Sequence, residues 1–225
     1  MPRVREFFSF KKANEFYPEW WKKLPKENLD ANFYPAPTMK TCTGLIEHYQ
    51  NGLILQMWSD VMFEMESYGN KNFKWQFADE RTLAEEHNAS QYRGYLNDHT
   101  LDFSHIKIIS PWYVYCKEEI PFLFLDAPWH GMNDNYRMMP GTLDFKYQHS
   151  TNINLFLRHK EQKNRFMIEA GTPIIHLVPL SEKKLIVHHH LISEEEYFKK
   201  EKASRPIKFI GDNIFSKKLS KCPFH

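Results

Sequence analysis

The chain has 225 residues, enough for one large domain or two small ones whose core holds without disulfides or metals. Aromatic residues make up 16% against only 8 glycines, which favours a wide, filled interior and argues against a glycine-rich dinucleotide fold. Thirty basic and 28 acidic residues leave a net charge of +2, too little to make nucleic acid or a membrane the expected partner.

Basic residues cluster at Lys11-Lys12, Lys22-Lys23-Lys26 and Lys217-Lys218-Lys221, which reads as solvated terminal arms. Cys42, Cys116 and Cys222 are far apart with no C-x-x-C pair, so neither a disulfide framework nor a zinc site is implied and a reducing compartment fits. The opening Met1-Pro2-Arg3-Val4-Arg5-Glu6 lacks the apolar core of a signal peptide, and no run approaches the ~18 apolar residues of a membrane span. A soluble chain that is not exported by a signal peptide is expected.

Residues 1–37 read as an aromatic N-terminal arm. Phe7, Phe8, Phe10, Phe16, Tyr17, Trp20 and Trp21 interleave with lysines, and Pro18, Pro25, Pro35 and Pro37 punctuate the segment. So many aromatics must either pack across the main domain or fill a neighbouring subunit's groove. A short helix after Pro18, with Leu24 and one Trp inward, is predicted.

One β-rich domain is expected over 38–204. Its first half, 38–105, opens with a short helix or turn from Gly44 to Asn51-Gly52. Strands at Leu53–Trp58, Val61–Glu66 and Phe73–Phe77 then form a meander. The strict alternation of Phe73-Lys74-Trp75-Gln76-Phe77 predicts a half-buried strand. Residues 79–105 are polar and read as a short helix and a long surface connection.

The second half, 106–192, carries strands at Ile106–Ile109, Trp112–Cys116 and Pro121–Leu125, then a loop from Asp126 to Asn135. Asn152–Leu157 and Arg165–Ile168 read as a pair joined across 158–164, and Ile174–Val178 and Lys184–His190 close the sheet. Ser193 before Glu194-Glu195-Glu196 is a capping-box start to a helix through Lys202. Residues 205–225 read as an irregular tail. The fold class is mainly β, a β-rich α+β protein with short helices and extended arms.

Within 106–180, the order of strand, Pro-aromatic turn, strand, loop, Pro140-Gly141-Thr142-Leu143-Asp144, strand and Gly171-Thr172-Pro173-Ile174-Ile175-His176-Leu177 resembles the dUTPase and dCTP-deaminase superfamily. The resemblance implies a β-clip or jelly-roll-like antiparallel core. It makes Asp144 the counterpart of the carboxylate that activates the attacking water, and Tyr147 the platform under the deoxyribose. Lys146 stands where the family has a second Asp, and His149 where it has Gly. The Pro-Arg-Ser phosphate motif and the C-terminal Gly-rich motif have no match, so the triphosphate grip is missing.

The whole chain, including Met39-Lys40-Thr41-Cys42 and Gly171-Thr172-Pro173-Ile174-Ile175, also resembles an uncharacterised family of tailed-bacteriophage and bacterial proteins. That resemblance implies a host cytoplasm or virion as the setting.

Among the remaining constellations, His188-His189-His190 on a strand would place His188 and His190 on one face, where His176 of a neighbouring strand could complete a metal site. The plainer reading is the wet face of an edge strand. Trp129-His130-Gly131-Met132-Asn133-Asp134 invites His130 as a base oriented by Asp134, or an ordinary loop. Glu64 and Glu66 share one strand face and read as solvated.

No complete catalytic or metal motif stands in the chain and no cofactor is implied. The expected function is a non-catalytic binding or assembly role, with self-association or other subunits contacted through Phe7, Phe8, Phe10, Trp20 and Trp21. The alternative is a small-ligand or nucleotide-binding enzyme or sensor using Asp144, Tyr147 and His176 at a degenerate dUTPase-like site.

Overall fold

A computed structural model of the chain describes residues 10–199 apart from 69, 71, 93, 95–101, 131, 132 and 197. Phe7, Phe8, the far end of the C-terminal helix and the tail 205–225 lie outside the described residues.

The described chain is mainly antiparallel sheet, as its alternating patterns predict. In order, the elements begin with β1 (Lys11–Lys12), α1 (Glu19–Lys23), β2 (Glu27–Leu29), β3 (Pro35–Pro37) and α2 (Thr43–Gln50). Next come β4 (Leu53–Gln56), β5 (Val61–Met65), β6 (Phe73–Phe77), β7 (Ala84–His87) and β8 (Phe103–Ile108). The last six are β9 (Pro121–Asp126), β10 (Tyr136–Met138), β11 (Gly141–Asp144), β12 (Ile153–Arg158), β13 (Asn164–Ile168) and β14 (Pro173–Pro179).

Three larger sheets and one ribbon result, with orders β1-β4-β14-β9-β11, β10-β12-β8-β7, β13-β5-β6 and β2-β3. One apolar cluster draws on all three larger sheets, with Leu55, Phe63, Ile106, Phe122, Leu155 and Ile175 among its members. The two halves read from the sequence therefore share a core.

Burial follows composition. β4 is Leu-Ile-Leu-Gln and is buried at every position, because β1 and β14 flank it and both its faces are covered. β5 alternates buried and half-buried residues, and β6 alternates half-buried Phe73, Trp75 and Phe77 with exposed Lys74 and Gln76. On the wet face Arg165, Glu64 and Lys74 lie across from one another in register, so opposite charges alternate over the three strands.

Several pairings differ from those read in the sequence. β4 and β5 are consecutive but belong to different sheets, so only β5 and β6 form the expected hairpin. β12 pairs with β8 and β10 while β13 pairs with β5, so Asn152–Leu157 and Arg165–Ile168 are not partners. The charged segment Ala84–His87 is a strand and not a helix: it gains its ladder from β8, where Lys107 bonds Glu85 at 2.5 Å.

Trp112–Cys116 forms only an isolated bridge, Tyr113 to Ser150. Ser110 turns the chain just before it: its Oγ accepts from Trp112 N at 3.1 Å, and its own N–H donates to Asn152 Oδ1 at 3.2 Å. Lys184–His190 is not a strand either. Leu185 and Val187 lean on the core while Ile186 is exposed, with no ladder partner. Ser193 does cap a helix, accepting from Glu196 N at 3.1 Å, with residues 194–196 and 198–199 helical.

Candidate functional site

The arm and α2 meet β14 and the loop after β9 in a cluster of aromatic and histidine side chains. α1 begins after Pro18, whose fixed φ of −66° suits a helix start, and turns Trp21 inward to 5% exposure while Trp20 remains 41% exposed. Trp129, in the 3₁₀ turn Pro128–His130, receives both. Trp20 stacks on it and donates from Nε1 to its carbonyl at 2.8 Å, and Trp21 meets it edge to face at 4.5 Å. Tyr17 stacks on Tyr49 at 5.0 Å. Phe10 and Trp21 are buried within their own chain, so they clamp the domain and are not available as contacts for a neighbouring subunit.

Tyr49 lies at the centre of this cluster at 1% exposure. Its hydroxyl donates to the Phe16 carbonyl at 2.9 Å and is bonded to His130 Nε2, which therefore carries the proton of that contact. Burial raises the Tyr49 hydroxyl well above the ordinary phenol range and lowers the pKa of His130. His130 is thus tied to Tyr49, and among the described residues no bond links it to Asp134.

His176 is fully buried on β14 and donates from Nε2 to the Asn51 carbonyl at 2.8 Å. Its Nδ1 is left as a buried acceptor with no partner. Burial lowers its pKa to about 4, only partly offset by the Asn51 carbonyl, and the nearby His48 and His130 push the same way as burial. The His48 and His176 rings meet edge to face with their centroids 4.6 Å apart. Asn51 can present its carbonyl because Gly52 follows with φ 100°, which brings the backbone against β14.

His48 also forms one wall of a cleft of about 370 Å³ whose other lining residues are Leu125, Asp126, Met138 and Pro140. Asp126 closes the apolar run of β9. Its Oδ1 accepts from Met138 N at 2.9 Å, and burial raises its pKa, opposed by that bond and by Arg137. Neither His48 nor Asp126 stands out in the sequence. A carboxylate directly after Pro-Phe-Leu-Phe-Leu is the one signal that points to it.

The other expected site residues lie apart from this cluster. Asp144 is 7% exposed at the end of β11, and its Oδ1 accepts from Lys146 N at 3.0 Å while its carbonyl accepts from Tyr147 N and Gln148 N. The carboxylate thus caps its own turn, and β11 pairs with β9 and makes no hairpin with the residues that follow. The Tyr147 hydroxyl donates to Glu119 at 2.8 Å on the surface. His188 and His190 are exposed outside any strand, while His176 is buried. Among the described residues no group of three or more His, Cys, Asp or Glu is placed to hold a metal ion. No helix among them is long and apolar enough to cross a membrane.

No protein-family model matches the chain, and no curated protein matches it.

Proposed function

We propose that this chain is a non-catalytic assembly protein that docks onto further copies of itself, through the β2–β3 ribbon of one copy and the segment 186–196 of the next. The resemblance to the tailed-bacteriophage family supports a phage-encoded protein.

The observation that carries the reading is Phe33. It lies at the ribbon tip with φ 65°, a left-handed conformation that is strained for an aromatic residue, and it is 80% exposed. Tyr34 is 69% and Leu29 58% exposed beside it. Strain combined with exposed apolar area is retained where it serves contact.

Both edges of the ribbon are blunted. Pro35 and Pro37 lack N–H groups on β3, and Asn28 Oδ1 takes the N–H of Leu29 on β2 at 2.9 Å. The ribbon therefore engages through side chains and not by strand addition.

A complementary surface is present in the same chain. Ile186 and Leu191 are 75% and 81% exposed in the same segment as exposed Glu194 and Glu195, whereas exposed Lys23 and Lys26 lead into the ribbon. Apolar patches bordered by opposite charges fit a head-to-tail contact.

Phe33→Gly separates assembly from folding. Relief of the backbone strain should leave the monomer as stable or more stable, by up to about 1 kcal/mol. Sedimentation should show self-association lost. Unchanged sedimentation of a folded Phe33→Gly protein would remove the ribbon from the account.

A further inference from the structure

The cleft beside His48 shares no lining residue with either assembly surface, and its chemistry is specific. Its walls are Leu125, Met138 and Pro140, apolar side chains carried by or next to β9 and β10, so its shape is held by strands and not by a mobile loop. Its volume of about 370 Å³ falls in the range of small-molecule pockets, roughly 300–1,000 Å³.

One charged group faces this apolar space. The Met138 N–H fixes Oδ1 of Asp126, and among the described residues nothing bonds its second oxygen. Arg137 acts on Asp126 only through space, because its guanidinium donates to the Asn133 carbonyl. The register pins Asp126 opposite Ile175 in the neighbouring strand, so the carboxylate is oriented before any ligand arrives. That second oxygen is open to solvent, so an arriving cation would exchange its water for a charge-assisted bond.

We propose that this cleft binds a small organic cation, a primary amine with an apolar body, whose ammonium bonds the open oxygen of Asp126 while its hydrocarbon part lies on Leu125, Met138 and Pro140. His48 suits that ligand. Burial lowers its pKa, so at neutral pH it presents an uncharged ring that does not repel an ammonium. An anion would meet the Asp126 carboxylate, and a neutral alcohol would forgo the charge-assisted bond that makes such pairs strong.

The test uses the full chain at pH 7.5 and three probes of one shape: cyclohexylamine, cyclohexanol and cyclohexanecarboxylate, followed by amide chemical shifts in a titration to millimolar concentration. The amine should give saturable shifts at residues around 125–126, 138 and 48. The alcohol and the carboxylate should bind at least tenfold more weakly. Asp126→Asn keeps an oxygen for the Met138 N–H and should weaken the amine at least tenfold. His48→Trp narrows the cleft without touching Asp126 and should weaken it too, which keeps the test decisive if the Asn variant folds poorly. Equal binding of amine and alcohol, amine binding undiminished in a folded Asp126→Asn or His48→Trp protein, or no saturable shift with any probe would overturn the proposal.

Discussion

His176 makes stability depend on pH in a direction that can be worked out. Its folded pKa is about 4, against an ordinary value of 6.5, chiefly because the ring is buried. Between those values the unfolded chain binds a proton that the folded chain does not. The contribution is therefore fully present above pH ~6.5 and is lost as pH falls toward ~4. At ~1.4 kcal/mol per pH unit, the interval is worth about 3 kcal/mol, a large fraction of the ~5–15 kcal/mol that holds a domain together. His48 and His130 shift the same way through burial and steepen the loss. Urea unfolding at pH 7.5, 6, 5 and 4.5 measures it. Wild type should lose stability steadily through that range. His176→Gln, which can still donate to the Asn51 carbonyl, should start lower by about 1 kcal/mol yet decline less steeply. Parallel pH curves for the two proteins would refute the assignment of the buried imidazole as the source.

Gly52→Ala should destabilise by on the order of 2–3 kcal/mol in urea melts, because the residue has φ 100° and an added Cβ would fall 2.2 Å from the Leu177 carbonyl oxygen. Trp21→Ala removes the clamp between α1, Tyr17 and Trp129, so thermal melts should show a loss of about 3–5 kcal/mol, with Trp20→Ala costing clearly less because Trp20 is 41% exposed. Incubation with dUTP or dCTP should release no pyrophosphate above background. Asp144 caps its own turn, and Tyr147 is engaged with Glu119, so release that disappears in Asp144→Asn would show a nucleotide site after all.

Local pattern was enough to place β5, β6, α2 and the Ser193 cap, since alternation, the Asn51-Gly52 stop and a side-chain cap are written into neighbouring residues. Pairing was not local. β4 and β5 look like a hairpin but separate because β4 ladders between β1 and β14, the latter more than 100 residues later in the chain, whereas β5 ladders between β13 and β6. β7 carries Glu85 and Glu86 and reads as surface. It becomes a strand only because β8 offers an open edge and Lys107 a charge. Trp112–Cys116 has strand composition but only scattered backbone bonds to 145–150 instead of a ladder, and Lys184–His190 has strand composition but forms no strand. The candidate cleft was hidden for the same reason: His48 comes from a helix and Asp126 from a strand end, and no spacing in the sequence links them. His176 and His130 read as candidates for ligand chemistry, yet the buried His176 bonds the Asn51 carbonyl and the half-buried His130 bonds Tyr49.

The most direct test of head-to-tail assembly is complementation between two variants, each defective in one surface. Phe33→Gly with Tyr34→Ser disables the ribbon, and Ile186→Ser with Leu191→Ser disables the acidic-bordered segment. In sedimentation velocity each variant alone should run as a monomer at concentrations where the wild type associates. An equimolar mixture should give a species of twice the chain's mass that grows no further, because one intact contact joins the two copies and no second remains. A wild type that is monomeric at every concentration, or a mixture that stays monomeric, would contradict the account.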